Sequence, residues 1–478
     1  MLSSRGLLAA YWSAADVVAR QVIQVAVIIA LARLLTPEEF GTVALLSLFL
    51  GIATVLADGG FSMALIQRKD TTHVDESTVF WVNLAAGALL AAGISLLAPV
   101  FADFYDVPVL EPLARLMSLG VLLSAMGSVP SALTSKQLDF RRLFLVGAVA
   151  AAASGGLAVA LAWQGHGIWA LAGQYVTMTA VSTAMLWILS GWRPRMLFSA
   201  GSARRLFGFG GYMLASNLLD TAFSRFYTLL IGRWYGVREL GFYQRADTTQ
   251  QVPATVLSSI ASRVAFPLFS QAIDDKAQLR RGVRLALRGL MLINVPMMLG
   301  LAALAGPLLE AVFGAIWLPA APILQVLCLA GLFWPVHVIN LTVLAAQGHA
   351  RLFFRLEVIK QVLGLALVLI GAVNGVMGIA WAMVAAGLIS VWVNSYYTQR
   401  HLGYGLVAQT VDLVPTLAVS TVMGLAVALV ARSWAPPPMI ELVTLSGLGA
   451  LGFVALAWAL RLEALQDVMT LLRRRPQA

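Results

Sequence analysis

Between positions 78 and 102 the chain reads TVFWVNLAAGALLAAGISLLAPVFA, a run without a single Asp, Glu, Lys or Arg. About 20 such residues cross the hydrocarbon core of a bilayer as an α-helix. Lipid offers no partner for backbone N–H and C=O groups, so a run of this length pairs them internally, as a helix. A membrane barrel would need short segments of alternating polarity instead. On the N-terminal side comparable runs fall at about 10–35 and 41–66, and on the C-terminal side at 111–133, 143–163 and 167–190. The series continues at about 207–232, 241–270, 285–306, 320–345, 357–373, 377–398, 413–433 and 440–460, with 241–270 and 320–345 the least apolar. The 478-residue chain is therefore expected to be an all-α polytopic membrane protein of about fourteen transmembrane helices.

Composition agrees. With 60% hydrophobic and 11% charged residues, the chain cannot cover a water-facing surface, which ordinarily draws on about a quarter charged residues. A lone Cys328 excludes a disulfide scaffold and any cysteine cluster for zinc or iron–sulfur chemistry. The first run carries Asp16 and Arg20 and continues to Leu35, longer than a signal-peptide core, and is read as a retained span. A net charge of +10 is read as basic loops that set topology and meet anionic lipids, not as a nucleic-acid surface.

The loops orient the molecule. If the N-terminus is cytoplasmic, 23 of the 32 Lys and Arg residues lie in inner segments, among them Arg68, Lys136, Arg205, Arg288, Lys360 and Arg473 to Arg475. Five lie outside (Arg33, Arg115, Arg233, Arg238, Arg432), and Arg20, Arg225, Arg245 and Arg263 fall within spans. That asymmetry predicts both termini in the cytoplasm. The tail from Arg461 to Arg475 sets Leu462, Leu465, Met469 and Leu472 at helical spacing, as in an interfacial amphipathic helix.

Charge inside the spans carries the functional signal. An arginine facing lipid at mid-span costs about 2.5–3.5 kcal/mol, so these four are expected to face protein or water. In span 1, Ser13, Asp16, Arg20 and Gln24 form one stripe; span 7 repeats it with Asn217, Asp220, Ser224 and Arg225. Span 8 adds Arg245, Gln251 and Arg263. These faces predict a hydrated, net positive cavity. Arginine pairs bidentately with phosphate oxygens, while Ser, Thr, Asn and Gln suit sugar hydroxyls. The alternative for Arg20 and Arg225 is structural ion pairing with Asp16 and Asp220. Asp16, Asp58 and Asp220 are also candidates for H⁺ or Na⁺ coupling, a carboxylate held away from water being a ready proton carrier. His337 and Asn340 in span 10 either line the cavity or pack.

An internal repeat organises the spans. Residues 31–41 align without gaps on 231–241, matching Arg33, Glu39 and Gly41 with Arg233, Glu239 and Gly241. Residues 165–170 echo 376–382 between spans 5–6 and 11–12. Six spans per block make the repeats parallel, related by a pseudo-two-fold along the membrane normal with a site between them. The expected divisions are 1–200 (spans 1–6), 201–400 (spans 7–12) and 401–478 (spans 13–14 and the tail).

The chain resembles a family. The residues that carry the likeness are 34–41 after span 1, Leu240 to Asp247 entering span 8, Arg263 to Phe269, and Val312 to Leu324. They are similar to the polysaccharide transporters of the multidrug/oligosaccharidyl-lipid/polysaccharide exporter superfamily. Within it they most resemble the Wzx-like flippases of colanic acid, succinoglycan and xanthan pathways. The resemblance implies two six-helix lobes in the bacterial inner membrane, opening alternately to either side. It implies an undecaprenyl-diphosphate-linked oligosaccharide as cargo, and a polysaccharide polymerase and chain-length regulator as partners. On this reading Arg20, Arg225, Arg245 and Arg263 anchor the diphosphate, and Asn217, Gln24 and Gln251 meet the head group. A cation-coupled multidrug exporter of the same superfamily is the alternative.

Enzyme readings find little support. No Lys follows a Gly, so there is no phosphate-loop GK[ST]. No two of the five His stand at i,i+4, which excludes HExxH zinc chemistry, and no G-x-S-x-G elbow is present. No cofactor and no metal are expected. The outer loop at Asp103 to Asp106 is too short for the catalytic loop of a lipid-linked glycosyltransferase or ligase.

Overall fold

The computed structural model describes residues 4–68, 70–271, 275–347, 350–434 and 436–473, and these are helical almost throughout. The chain divides into two compact units, residues 1–241 and 242–478.

The first unit holds α1 (Ser4–Leu34), α2 (Pro37–Asp58), α3 (Phe61–Gln67), α4 (His73–Tyr105), α5 (Leu110–Lys136), α6 (Phe140–Trp163), α7 (Ile168–Ser190) and α8 (Ala200–Trp234). Helix α9 (Gly236–Gln271) carries the chain onward. The second unit adds α10 (Lys276–Ala303), α11 (Ala305–Phe313), a 3-10 turn (Ala315–Ala320), α12 (Ala321–Gly331) and α13 (Trp334–Ala346). It ends with α14 (Ala350–Ala372), α15 (Gly375–Leu402), α16 (Leu406–Ser433), α17 (Pro438–Ala459) and α18 (Glu463–Arg473). Among the described residues nine helices are long and apolar enough to cross a membrane.

Every expected span falls on one of these helices or on a consecutive pair. Three differ in continuity, span 9 ending at the break at Leu304 between α10 and α11. Span 2 breaks at Gly59 and Gly60, both with positive φ (58° and 72°), which close α2 and start α3. Span 10 breaks before Pro335, whose ring cannot continue the ladder, into α12 and α13.

Local chemistry sets the helix starts. Thr36 caps α2 in a reciprocal box: its own N–H donates to Glu39 Oε2 (2.7 Å) and its Oγ1 accepts from the Glu39 N–H (3.4 Å). Thr72 and Asp75 cap α4 in the same way. Asp75 also pairs with Arg205 at 2.6 Å, while Trp192 Nε1 donates to Glu76 (2.8 Å), so the basic connector 191–206 is fastened along the start of α4.

In the first unit Leu31, Leu35, Ala158, Ala162, Ala170 and Leu171 close α1 onto α6 and α7, and Phe61, Leu65, Val79, Phe80 and Leu133 join α3, α4 and α5. In the second, Leu292, Val419, Met423, Leu445 and Phe453 do the same for α10, α16 and α17. Large apolar residues such as Leu89, Leu96 and Ile370 face outward. On a water-facing surface they would be a liability, but against hydrocarbon they are at home.

The two aligned segments of the repeat meet. A Cβ on Gly41 would overlap the carbonyl oxygen of Val237, and one on Gly241 would overlap that of Pro37. Under the 31–41 to 231–241 alignment these are the same contact made twice. Between them Glu38 Oε1 pairs with Arg238 Nε at 3.1 Å, each residue being the counterpart of the other. Such reciprocity is what two-fold-related segments produce where they touch, and only glycine lets the backbones come this close. The second echo also opens a helix in each block, α7 after Gly167 and α15 around Gly378.

Arg288 and Lys360, counted above with the inner connectors, are instead buried inside the second unit. Both positions fall at the starts of the apolar runs 285–306 and 357–373, where neighbouring helices cover them. Arg288 there pairs with Asp412 of α16 and with Glu463 (2.6 Å) and Asp467 (3.5 Å) of α18. Arg284 also pairs with Asp412, to which Tyr404 Oη donates at 2.8 Å. Burial and the Asp412 bond push the Tyr404 phenol up. The amphipathic tail is thus tied to α10 by charge as well as by Leu462 and Leu465.

Candidate functional site

Helix α1 turns one face inward through Ile23, Gln24 and Val27, and α8 does so through Asp220, Thr221, Ser224 and Arg225. Between them and α2, α5, α6 and α7 lies a cavity of about 770 Å³ within the first unit. Its polar lining includes Ser47, Thr54, Ser124, Gln174, Tyr175 and Thr179. Gln24 of the span 1 stripe and Asp220, Ser224 and Arg225 of the span 7 stripe, separated by about 200 residues of sequence, therefore share one cavity. Each stripe follows from helical periodicity, since positions three and four apart stack on one face.

Arg225 is exposed in this cavity and its Nε lies alongside Gly51 of α2. Among the described residues it makes no ion pair, with Asp220 or any other carboxylate. Among the described residues the charged groups of the lining are Arg225 and Asp220, one of each sign, and the net positive charge expected of the cavity is not seen in them. Two of the other arginines, Arg20 and Arg245, are placed elsewhere.

Arg20 is half-buried and lies across Gly147 of α6, outside the lining. Arg245 belongs to the second unit and is buried between the rings of Phe313 and Trp317, its guanidinium carbon 4.8 Å from each ring centroid. That is cation–π packing, a use of arginine that charge counting along a helix does not anticipate. The side chains of Arg263 and Asp16 lie outside the described residues. Asn217 is exposed on α8 but does not line the cavity, and Gln251 on α9 donates to Asp247 Oδ2 at 2.9 Å.

A second cavity of about 400 Å³ shares Thr54, Ser124, Met178 and Thr179 with the first and continues from it toward the 131–135 end of α5. Asp58 lines it, accepting a hydrogen bond from Ser62. Ser128, Ser131, Ser135 and Ser182 line it too, and none of these was singled out from the sequence. Their spacing on α5 (124, 128, 131, 135) is a helical stripe. It passes unnoticed because serine in a membrane helix usually bonds its own backbone.

His337 sits in the second unit, its Nδ1 2.9 Å from Asn394 Nδ2 and 3.4 Å from Lys360 Nζ, with Lys360 bonded to Glu357. Asn340 and Gln409 exchange amide bonds (3.0 and 2.9 Å). Both residues are therefore satisfied by internal partners. Among the described residues no group of three His, Cys, Asp or Glu side chains could hold a metal ion.

The fold and its polar inner faces define a multi-pass helical membrane protein of the transporter type. The chain belongs to the family described as Polysaccharide biosynthesis protein, whose match covers residues 30–322. It is 26% identical over 419 residues to the teichuronic acid biosynthesis protein TuaB of Bacillus subtilis, covering 87% of each chain. It is 28% identical over 411 residues to the lipopolysaccharide biosynthesis protein WzxC of Escherichia coli, covering 83% of this chain and 82% of that one. With the succinoglycan biosynthesis transport protein ExoT of Rhizobium meliloti it shares 27% identity over 463 residues, 94% of this chain and 92% of that one. Among solved structures, the lipid II flippase MurJ in an inward closed conformation superposes with a TM-score of 0.76 at 14% identity, covering 94% of this chain and 98% of that one. An inward-facing multidrug resistance MATE family transporter of the MOP superfamily gives a TM-score of 0.61 at 16% identity, covering 80% of this chain and 95% of that one. At such identities these two speak for the fold alone.

Proposed function

We propose that this protein flips an undecaprenyl-diphosphate-linked oligosaccharide from the cytoplasmic to the periplasmic leaflet of the bacterial inner membrane, for assembly of an exported polysaccharide. The observation that carries the reading is the first-unit cavity, where Arg225, without an ion pair among the described residues, stands among Gln24, Gln174 and several hydroxyls. An arginine so exposed within a membrane-embedded site suits an anionic diphosphate, and the amides and hydroxyls suit sugars. The names of the relatives, several of them polysaccharide biosynthesis or transport proteins, support the same cargo class.

In this reading Arg225 is the principal diphosphate anchor, with Arg20, Arg245 and Arg263 as further candidates in other states of the transport cycle. The prenyl chain stays in the bilayer, since it needs no polar path. Taking α2 with α3 and α12 with α13 as interrupted crossings gives fourteen spans, both termini cytoplasmic. Two six-helix lobes then rock about a pseudo-two-fold, with the reciprocal Gly41 and Gly241 contacts as support. Asp16, Asp58 and Asp220 are the proposed sites of H⁺ or Na⁺ coupling. A polymerase and a chain-length regulator are the proposed downstream partners.

Deletion of the gene in its host, followed by mass spectrometry of the membrane lipids, tests the proposal. The expected result is accumulation of a polyprenyl-diphosphate oligosaccharide, reversed by the wild-type chain and not by Arg225→Gln. Loss of drug resistance with no accumulated lipid would instead favour the multidrug exporter.

A further inference from the structure

The second cavity has a character of its own. Helix α5 lines it with hydroxyls at 124, 128, 131 and 135, faced by Thr179 and Ser182 of α7. At about 400 Å³ it is within the range of roughly 300–1,000 Å³ typical of small-ligand pockets.

The hydroxyls are of two kinds. Thr54 donates to the Leu50 carbonyl (2.8 Å) and Thr179 to that of Val176 (2.9 Å), as membrane-helix hydroxyls commonly do. Ser124, Ser131, Ser135 and Ser182 are half-buried, and their side-chain hydroxyls make no hydrogen bond among the described residues. Four unspent hydroxyls in a cavity within membrane-spanning helices are costly unless water or a ligand answers them. Among the described residues of the lining Asp58 is the one with a formal charge, and an ionised carboxylate accepts hydrogen bonds and disfavours an anion beside it. Arg225, by contrast, lines the adjoining cavity.

We propose that this serine-lined cavity is a subsite for uncharged sugar residues of the cargo, separate from the diphosphate site at Arg225. The inference rests on the lipid-linked oligosaccharide reading above and divides that cargo between two chambers. Sugar hydroxyls donate to Asp58 and to the back-bonded threonines, and exchange hydrogen bonds with the four open serines. The diphosphate is held off by Asp58 and stays with Arg225. Thr54, Ser124 and Thr179 line both cavities and form the passage between them.

The test uses the full chain in nanodiscs and native mass spectrometry with two probes, bare undecaprenyl diphosphate and the same lipid bearing an uncharged oligosaccharide. The wild type is expected to bind the glycosylated lipid at least tenfold more tightly. Replacing Ser131, Ser135 and Ser182 together by Ala, the three open serines that line this cavity alone, removes that preference and leaves the bare lipid unaffected, which doubles as the control for folding. Arg225→Gln weakens both probes. A fill-in variant, Ser131→Leu, loses the preference as well. Equal wild-type affinity for the two lipids, or a triple variant that keeps the preference, overturns the subsite while leaving the flippase reading standing. A wild type that binds neither probe overturns both. A lipid bearing a uronate as its first sugar is expected to bind more weakly than its uncharged counterpart, and Asp58→Asn to narrow the gap. Equal binding of the two by the wild type overturns the selectivity for uncharged sugars.

Discussion

Arg225 and Arg245 are the same residue type on consecutive helices, yet their surroundings give them different work. Arg225 opens into a polar cavity, whereas Arg245 is held between two aromatic faces 4.8 Å away. A charge-assisted hydrogen bond to phosphate is worth about 1.5–3 kcal/mol. Arg225→Gln is therefore expected to slow complementation of polymer synthesis about tenfold or more, with normal amounts of protein in the membrane. Arg225→Lys, which keeps the charge but loses the bidentate fork, falls between. Arg245→Gln is expected to act differently, lowering the yield of folded protein more than transport per molecule, because it removes packing against Phe313 and Trp317. Fluorescence-detected size exclusion set beside a transport assay separates the two outcomes. From sequence both arginines read as in-span cations of equal standing. The aromatic partners of Arg245 lie about 70 positions away, beyond any helical periodicity.

At the level of single helices, two contacts hold elements together. Asp412 on α16 is the common partner of Arg284 and Arg288 on α10 and of Tyr404, and Arg288 reaches on to Glu463 and Asp467 of α18. Removing one partner of a buried pair costs about 3–5 kcal/mol, because the other charge is left uncompensated. Asp412→Ala should thus lower the thermal unfolding temperature in detergent clearly more than Glu463→Ala, whose carboxylate is largely exposed (70%). The second contact is the glycine pair at the starts of α2 and α9. Gly41→Val places side-chain atoms where the Val237 carbonyl stands, and overpacking of this kind costs about 1–3 kcal/mol. A matching loss is expected for Gly241→Val, and unfolding curves of the two variants would measure it. The alignment of 31–41 with 231–241 was legible in the sequence. That the two segments touch each other was not, since a repeat states equivalence and not proximity.

For the molecule as a whole, the basic-residue asymmetry predicts both ends in the cytoplasm. Cys328 is buried and is replaced by Ala for labelling. Single cysteines at Gln164 and Pro437 should then react with an impermeant reagent from the periplasmic side, and one at Lys276 should not. The reverse pattern would invert the topology. The stretches that become helices were readable from the sequence because run length and apolarity are local quantities, set by the thickness of the bilayer and the need to pair backbone groups. That Asp220, Ser224 and Arg225 of α8 share a face was readable for the same reason, helical period being local. What tertiary structure alone decided is which stripes meet. It put Gln24 and Arg225 in one cavity, turned Arg20 onto α6, and buried Arg288 and Lys360, which had been counted with the cytoplasmic segments. It also gathered ordinary-looking serines of α5 and α7 around a second chamber. Burial and partnership depend on residues tens to hundreds of positions apart, and no local pattern encodes them.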